Sequence, residues 1–123
     1  MYNIYHHFLE LEDKTLNNDI SYHDKTTADP GKHTISKEIY FAIKTIFPDY
    51  ISHFSVENIF TLLEKPPESS LGDYAMPCFS LSKVLKKNPQ QIATTIASTL
   101  NKQNQSIWIN KSLNVGAFLN IFS

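Results

Sequence analysis

Arginine is missing from this chain of 123 residues: all eleven basic side chains are lysines. Any anion it binds therefore meets point charges rather than the bidentate fork of a guanidinium. The single cysteine, Cys78, has no partner within the chain and so forms no internal disulfide, which fits a reducing cytosol. There is no run of about 18 apolar residues, which leaves nothing to cross a membrane as a helix. The opening "MYNIYHHFLELEDK" lacks the basic flank and apolar block of a signal peptide, so a soluble cytoplasmic chain is expected. Nucleophile–base spacings and phosphate-cradling glycine loops are also lacking, which argues against a small independent enzyme. His6, His7, His23 and His33, with Asp24 and Asp29, match no zinc spacing, and no metal or cofactor is expected.

What is present begins with a hidden charge asymmetry. The net charge is −1, but residues 1–64 hold five lysines against ten acids and residues 65–123 hold six against two. The two halves thus carry −5 and +4, and a polyanion would be drawn to the second. Hydrophobic content of 41% and aromatic content of 12% suffice for one packed domain.

Residues 1–34 read as a loosely ordered extension or linker, with one short amphipathic stretch (Ile4, Phe8, Leu11) and an Asp-Pro-Gly turn. The folded domain is expected over residues 35–123. Ser36 is a candidate cap for a helix with Ile39, Ala42, Ile43, Ile46 and Phe47 inward, ending at Pro48. "NIFTLLEKPP" reads as a strand and loop, and "ESSLGDYA" as a turn at Gly72-Asp73 leading to a brief strand through Tyr74. Phe79–Leu85 reads as a helix with Lys83, Lys86 and Lys87 outward. Asn88-Pro89, a preferred cap followed by a preferred first residue, starts another with Ile92, Ala93, Ile96, Ala97 and Leu100 inward. "SIWINKSLNVGAFLNIF" alternates as two strands about Gly116, with Trp108 in the core. The sum is an α+β fold: a small antiparallel sheet of about four strands with helices on one face.

"LEKPPESSLGDYAMPCFSLSKVLKKNPQQIA" and the tail "NVGAFLNIF" together resemble the N-terminal additional domain of arginyl-tRNA synthetases. That resemblance covers roughly residues 36–123 and implies tRNA binding at the elbow, through the D-loop. Carried over position by position, it implies an aromatic and an amide at Phe118 and Asn120, with Asn114 as a polar neighbour. Val115-Gly116-Ala117 departs from the Gly-Pro-Gly the family usually carries there. The His-Ile-Gly-His-like and Lys-Met-Ser-Lys-Ser-like phrases of the catalytic domain are absent from this sequence, so the chain by itself is not expected to activate arginine.

The chemistry of the residues is compatible with that implication. Unpaired loop bases are bound by aromatic stacking and amide hydrogen bonds, and lysines 83, 86 and 87 offer phosphate contacts. Plainer roles stand beside these: Gly72, Asp73 and Tyr74 as a structural turn, Phe118 as core, the lysines as a solvated helix face, Cys78 as a small buried hydrophobe. Two functions compete. One is a tRNA-binding module of an arginine–tRNA ligase, partnered by a catalytic domain; the other is a freestanding relative acting as a protein-interaction or regulatory module.

Overall fold

The computed structural model describes residues 29–103 and 106–123. The first helix, α1, spans Pro30–Ile46, earlier than the sequence suggested. Asp29 caps it by accepting from the backbone N–H of Lys32 at 3.0 Å, and Pro30 occupies the first turn, where its missing N–H costs nothing. The Asp-Pro-Gly is therefore a helix start rather than a free turn. Ser36 lies inside the helix, its hydroxyl bonded back to the Lys32 carbonyl. Helix α1 ends before Pro48, as expected, and a 3-10 turn follows over Pro48–His53.

The second correction concerns "NIFTLL", which is helical. Helix α2 spans Val56–Leu62, capped by the Ser55 hydroxyl accepting from Asn58 N–H at 3.0 Å. Val56 and Ile59 are its buried positions, and Leu63, the residue that ends it, is buried with them. The strand reading relied on a short apolar run, which does not distinguish a strand from a buried helix. Only Glu64, bridged to Ala75, keeps strand character in this region. The sheet accordingly has three strands rather than four.

A 3-10 turn over Ser69–Leu71 leads into β1 (Tyr74–Pro77). Two helices follow, α3 (Phe79–Leu85) and α4 (Pro89–Gln103), then β2 (Lys111–Val115) and β3 (Phe118–Phe122). The strand order is β1-β3-β2, antiparallel throughout. Asn88 caps α4 through its Oδ1, which accepts from Gln90 N–H at 2.8 Å, and all five expected stripe residues from Ile92 to Leu100 are buried.

Helix α4 crosses β2 and β3 on one face of the sheet, and α1 packs on α2 and α4. Leu119 and Ile121 of β3, both at 0% exposure, point into that interface beside Met76. By the alternation of a strand, Phe118, Asn120 and Phe122 must face the other way. Trp108, expected in the core within a strand, sits instead in the loop before β2 at 39% exposure, its ring against the Cα of Gly31. Among the described residues, no helix is long and apolar enough to cross a membrane.

Candidate nucleic-acid interface

The outer sheet face is set by pairing. Lys111 lies opposite Phe122, Leu113 opposite Asn120 and Val115 opposite Phe118, so these six side chains share one surface. Leu113 and Val115, on the edge strand β2, are each 45% exposed and leave apolar surface open on this face. The Lys111 ammonium lies 4.7 Å from the centre of the Phe122 ring, a cation–π contact.

Phe118 is half-buried at the start of β3, just after the two-residue turn Gly116-Ala117. Gly116 has a φ of +59°, and among the described non-glycine residues only Lys86 has a positive φ. That is the pattern of a type II′ hairpin, which needs glycine at its first central position and not at its second. Ala117 is thus compatible with a tight turn. The carbonyl of Ala117 accepts from Cys78 N–H at 3.0 Å, which ties the hairpin to the start of α3. Phe79, the next residue, packs against Phe118 with ring centres 6.1 Å apart and planes at 86°.

Asn120 sits differently from the expectation of an open, base-reading amide. It is only 2% exposed, and its Nδ2 donates to the Leu71 carbonyl at 2.6 Å. Its Oδ1 is buried with no hydrogen-bond partner, a condition a folded chain rarely tolerates without a reason. The segment above Asn120 is held by Gly72, whose φ of +105° is costly for any other residue. A Cβ there would come within 2.7 Å of the Ile121 carbonyl. Asp73 closes the turn, its N–H donating to Ile121 O while its carboxylate accepts from the Ser123 N–H and hydroxyl. Those two bonds hold its carboxyl below the usual range. Tyr74 reaches the other way, its hydroxyl donating to Asp29 Oδ2 at 2.9 Å.

Lys83, Lys86 and Lys87 are all exposed, around the corner between α3 and α4. Lys86 ends α3 in the left-handed conformation, with φ of 55°, and the Ser82 hydroxyl donates to the Lys87 carbonyl at 2.6 Å. The backbone under these lysines is therefore anchored while their side chains are exposed to solvent. Lys83 is one turn on from Phe79, so lysine and aromatic occupy the same side of α3.

Asn114 is not part of this surface. It pairs with Leu119 and lines an open groove of about 480 Å³ between α4 and β2, with Thr94, Ser98, Asn101 and Lys102. The remaining candidates also separate. Cys78 is fully buried, and burial pushes its thiol up to about 12, leaving it protonated and inert at neutral pH. His33 is buried in α1 against the Phe60 ring, while His6, His7, His23 and Asp24 lie outside the described residues. No group of metal-ligating side chains occurs among the described residues.

Phe79, Lys111 and Leu113 are not among the site residues expected from the sequence, and Val115 enters there only as part of the altered turn. Alternation marks Lys111, Leu113 and Val115 as one strand face, but only the pairing with β3 puts Phe118 and Asn120 on that same face. Nothing in the sequence indicates that the aromatic at the start of α3 is exposed.

The molecule is a small α+β domain with a basic corner and an aromatic-bearing sheet face. Residues 33–123 match the model of the arginyl tRNA synthetase N terminal domain, and the chain belongs to that family. Curated relatives include the arginine–tRNA ligase of Clostridioides difficile, 37% identical over 81 residues. That of Streptococcus thermophilus is 47% identical over 66 residues. These alignments cover 66% and 54% of this chain but only 14% and 11% of the ligases.

Proposed function

We propose that this chain is the tRNA-binding accessory domain of an arginine–tRNA ligase, acting beside a catalytic domain and contacting the elbow of the tRNA at its D-loop. The observation that carries the reading is the outer sheet face, where Phe118 offers an aromatic ring within the positively charged half of the chain. In this reading Phe118 stacks on an unpaired loop base, and Lys83, Lys86 and Lys87 hold the adjoining phosphates. Asn120, buried beneath Leu71 with its Nδ2 donating to the Leu71 carbonyl, serves in this reading by holding the strand and loop beside Phe118 rather than by touching the base directly. Asn114 touches RNA that continues round the edge of β2. Arginine activation belongs to the catalytic domain, and the complex works in the cytoplasm.

The test is a titration of the chain with tRNA at two salt concentrations, using transcripts with and without an intact D-loop. The expected result is salt-dependent binding that weakens when the D-loop is removed. Binding indifferent to the D-loop removes the elbow assignment. Absence of any tRNA binding moves the domain to the rival role, a protein-interaction module.

A further inference from the structure

We propose that Phe79 is a second stacking surface beside Phe118, so that the interface takes two adjacent, splayed loop nucleotides, one base on each ring. This rests on the reading of Phe118 given above and adds a residue and a stoichiometry to it.

Phe79 opens α3 but does not serve its packing. The residues that bury this helix are Leu81 and Leu85, at 1% and 3% exposure, whereas Phe79 is 53% exposed. A large aromatic left half in water forgoes much of the stabilisation that burial would bring. Its position is nonetheless well defined. The preceding residue is bonded to the hairpin turn through Cys78 N–H and Ala117 O, and its ring packs on Phe118. The two rings therefore ride on one frame made of the α3 start and the β2–β3 turn.

The angle between them sets what they can hold. At 86° the planes are close to perpendicular, so one flat base cannot be sandwiched between them. A base lying flat on Phe118 meets Phe79 edge-on, and a base lying flat on Phe79 must have left the stack of its neighbour. Unpaired loops supply bases that are splayed apart in this way. Lys83, one helical turn beyond Phe79, is exposed on the same side and neutralises a phosphate flanking this nucleotide pair. Lys86 and Lys87 continue the charge beyond it, so the RNA strand leaves the rings along α3.

The experiment measures tRNA affinity for Phe79→Ala, Phe79→Leu, Phe79→Trp and Phe118→Ala in the full chain, with melting temperature recorded on each. Phe79→Ala and Phe79→Leu should weaken binding roughly tenfold, and Phe79→Trp should retain it, because stacking needs a π-face rather than apolar bulk. Transcripts with single abasic sites across the D-loop should show two neighbouring sensitive positions. One should lose its effect in Phe118→Ala and the other in Phe79→Leu. Wild-type affinity in Phe79→Leu overturns the proposal, as does a single sensitive position. If Phe118→Ala weakens binding while both Phe79 truncations leave it intact, the second surface is wrong and the Phe118 reading stands. If none of the variants matters, both fail together.

Discussion

The hydroxyl of Tyr74 donates to the same carboxylate, Asp29, that caps α1, across 45 positions of sequence. One oxygen of Asp29 accepts from the first turn of the helix and the other from the first strand of the sheet. The tyrosine of the Gly-Asp-Tyr-Ala turn thereby fixes where α1 begins.

Replacing Tyr74 by Phe keeps the ring and removes this bond, and should cost about 1–2 kcal/mol at neutral pH. Asp29→Ala should cost at least as much, since it also removes the helix cap. Burial, followed by the Asp29 bond, raises the Tyr74 hydroxyl to about 12 from its ordinary 10. The folded state thus keeps a proton that the unfolded chain releases above pH 10. Its contribution is complete below that pH and is lost as pH rises towards 12. Urea unfolding of wild type and Tyr74→Phe at pH 8 and pH 11 should show the difference between them shrinking at the higher pH.

Glu38 shows the same preference for lower pH, but in a window around neutrality. Its side chain is buried and accepts from the Ser106 hydroxyl at 2.9 Å, and burial pushes its carboxyl up to about 7 from 4.5. Between those values the folded chain holds a proton that the unfolded chain has given up. This group's stabilisation is therefore full below pH 4.5 and declines until about pH 7. At about 1.4 kcal/mol per pH unit, the loss is capped at roughly 3–4 kcal/mol. Glu38→Gln should gain stability relative to wild type as pH rises from 5 to 8, by midpoint of urea denaturation. A constant offset across that range would mean that Glu38 titrates normally.

Alanine at Lys83, Lys86 and Lys87 together should leave the melting temperature nearly unchanged, since all three are exposed. Salt dependence is the informative readout. For every lysine–phosphate pairing removed, the log–log slope of tRNA affinity against salt should fall by roughly 0.7–0.9. An unaltered slope would make the three an ordinary solvated corner.

Phe118→Ala and Asn120→Ala separate binding from folding. Phe118 is half-buried, so its truncation should weaken tRNA binding about tenfold or more. Its melting temperature should fall less than for a buried phenylalanine, whose loss typically costs about 3–5 kcal/mol. Asn120→Ala removes the bond to the part-buried Leu71 carbonyl and should cost about 1–3 kcal/mol of stability. Asn120→Asp, unable to donate to Leu71 when ionised, should be at least as destabilising by thermal melt.

How far the sequence could be read follows from which signals are local. Asn88-Pro89 and the stripe from Ile92 to Leu100 carry both cap and period within 13 positions, and α4 was legible in full. The hairpin was legible because alternation on both sides of Gly116 has one simple reading. Val56–Leu62 misled because seven residues are too few for period 3.6 to stand out against an apolar run. Asp29 looked like a turn residue because its second partner, Tyr74, is remote. For the candidate interface, alternation placed Phe118, Asn120 and Phe122 together but could not say what covers them. That Asn120 lies under Leu71 while Phe118 stays partly open depends on the path of a distant loop.

Asn101 offers a last consequence. Its amide donates to the Ser112 carbonyl at 2.9 Å and accepts from the Ser112 N–H at 2.9 Å. One side chain thus reproduces the pair of bonds that a neighbouring strand would make to β2. An unpaired strand edge is a template on which other chains add, and a three-stranded sheet with an apolar outer face is exposed to that hazard. By filling the outer edge of β2 at Ser112, Asn101 guards the domain against sticking to itself while leaving the adjoining face uncovered.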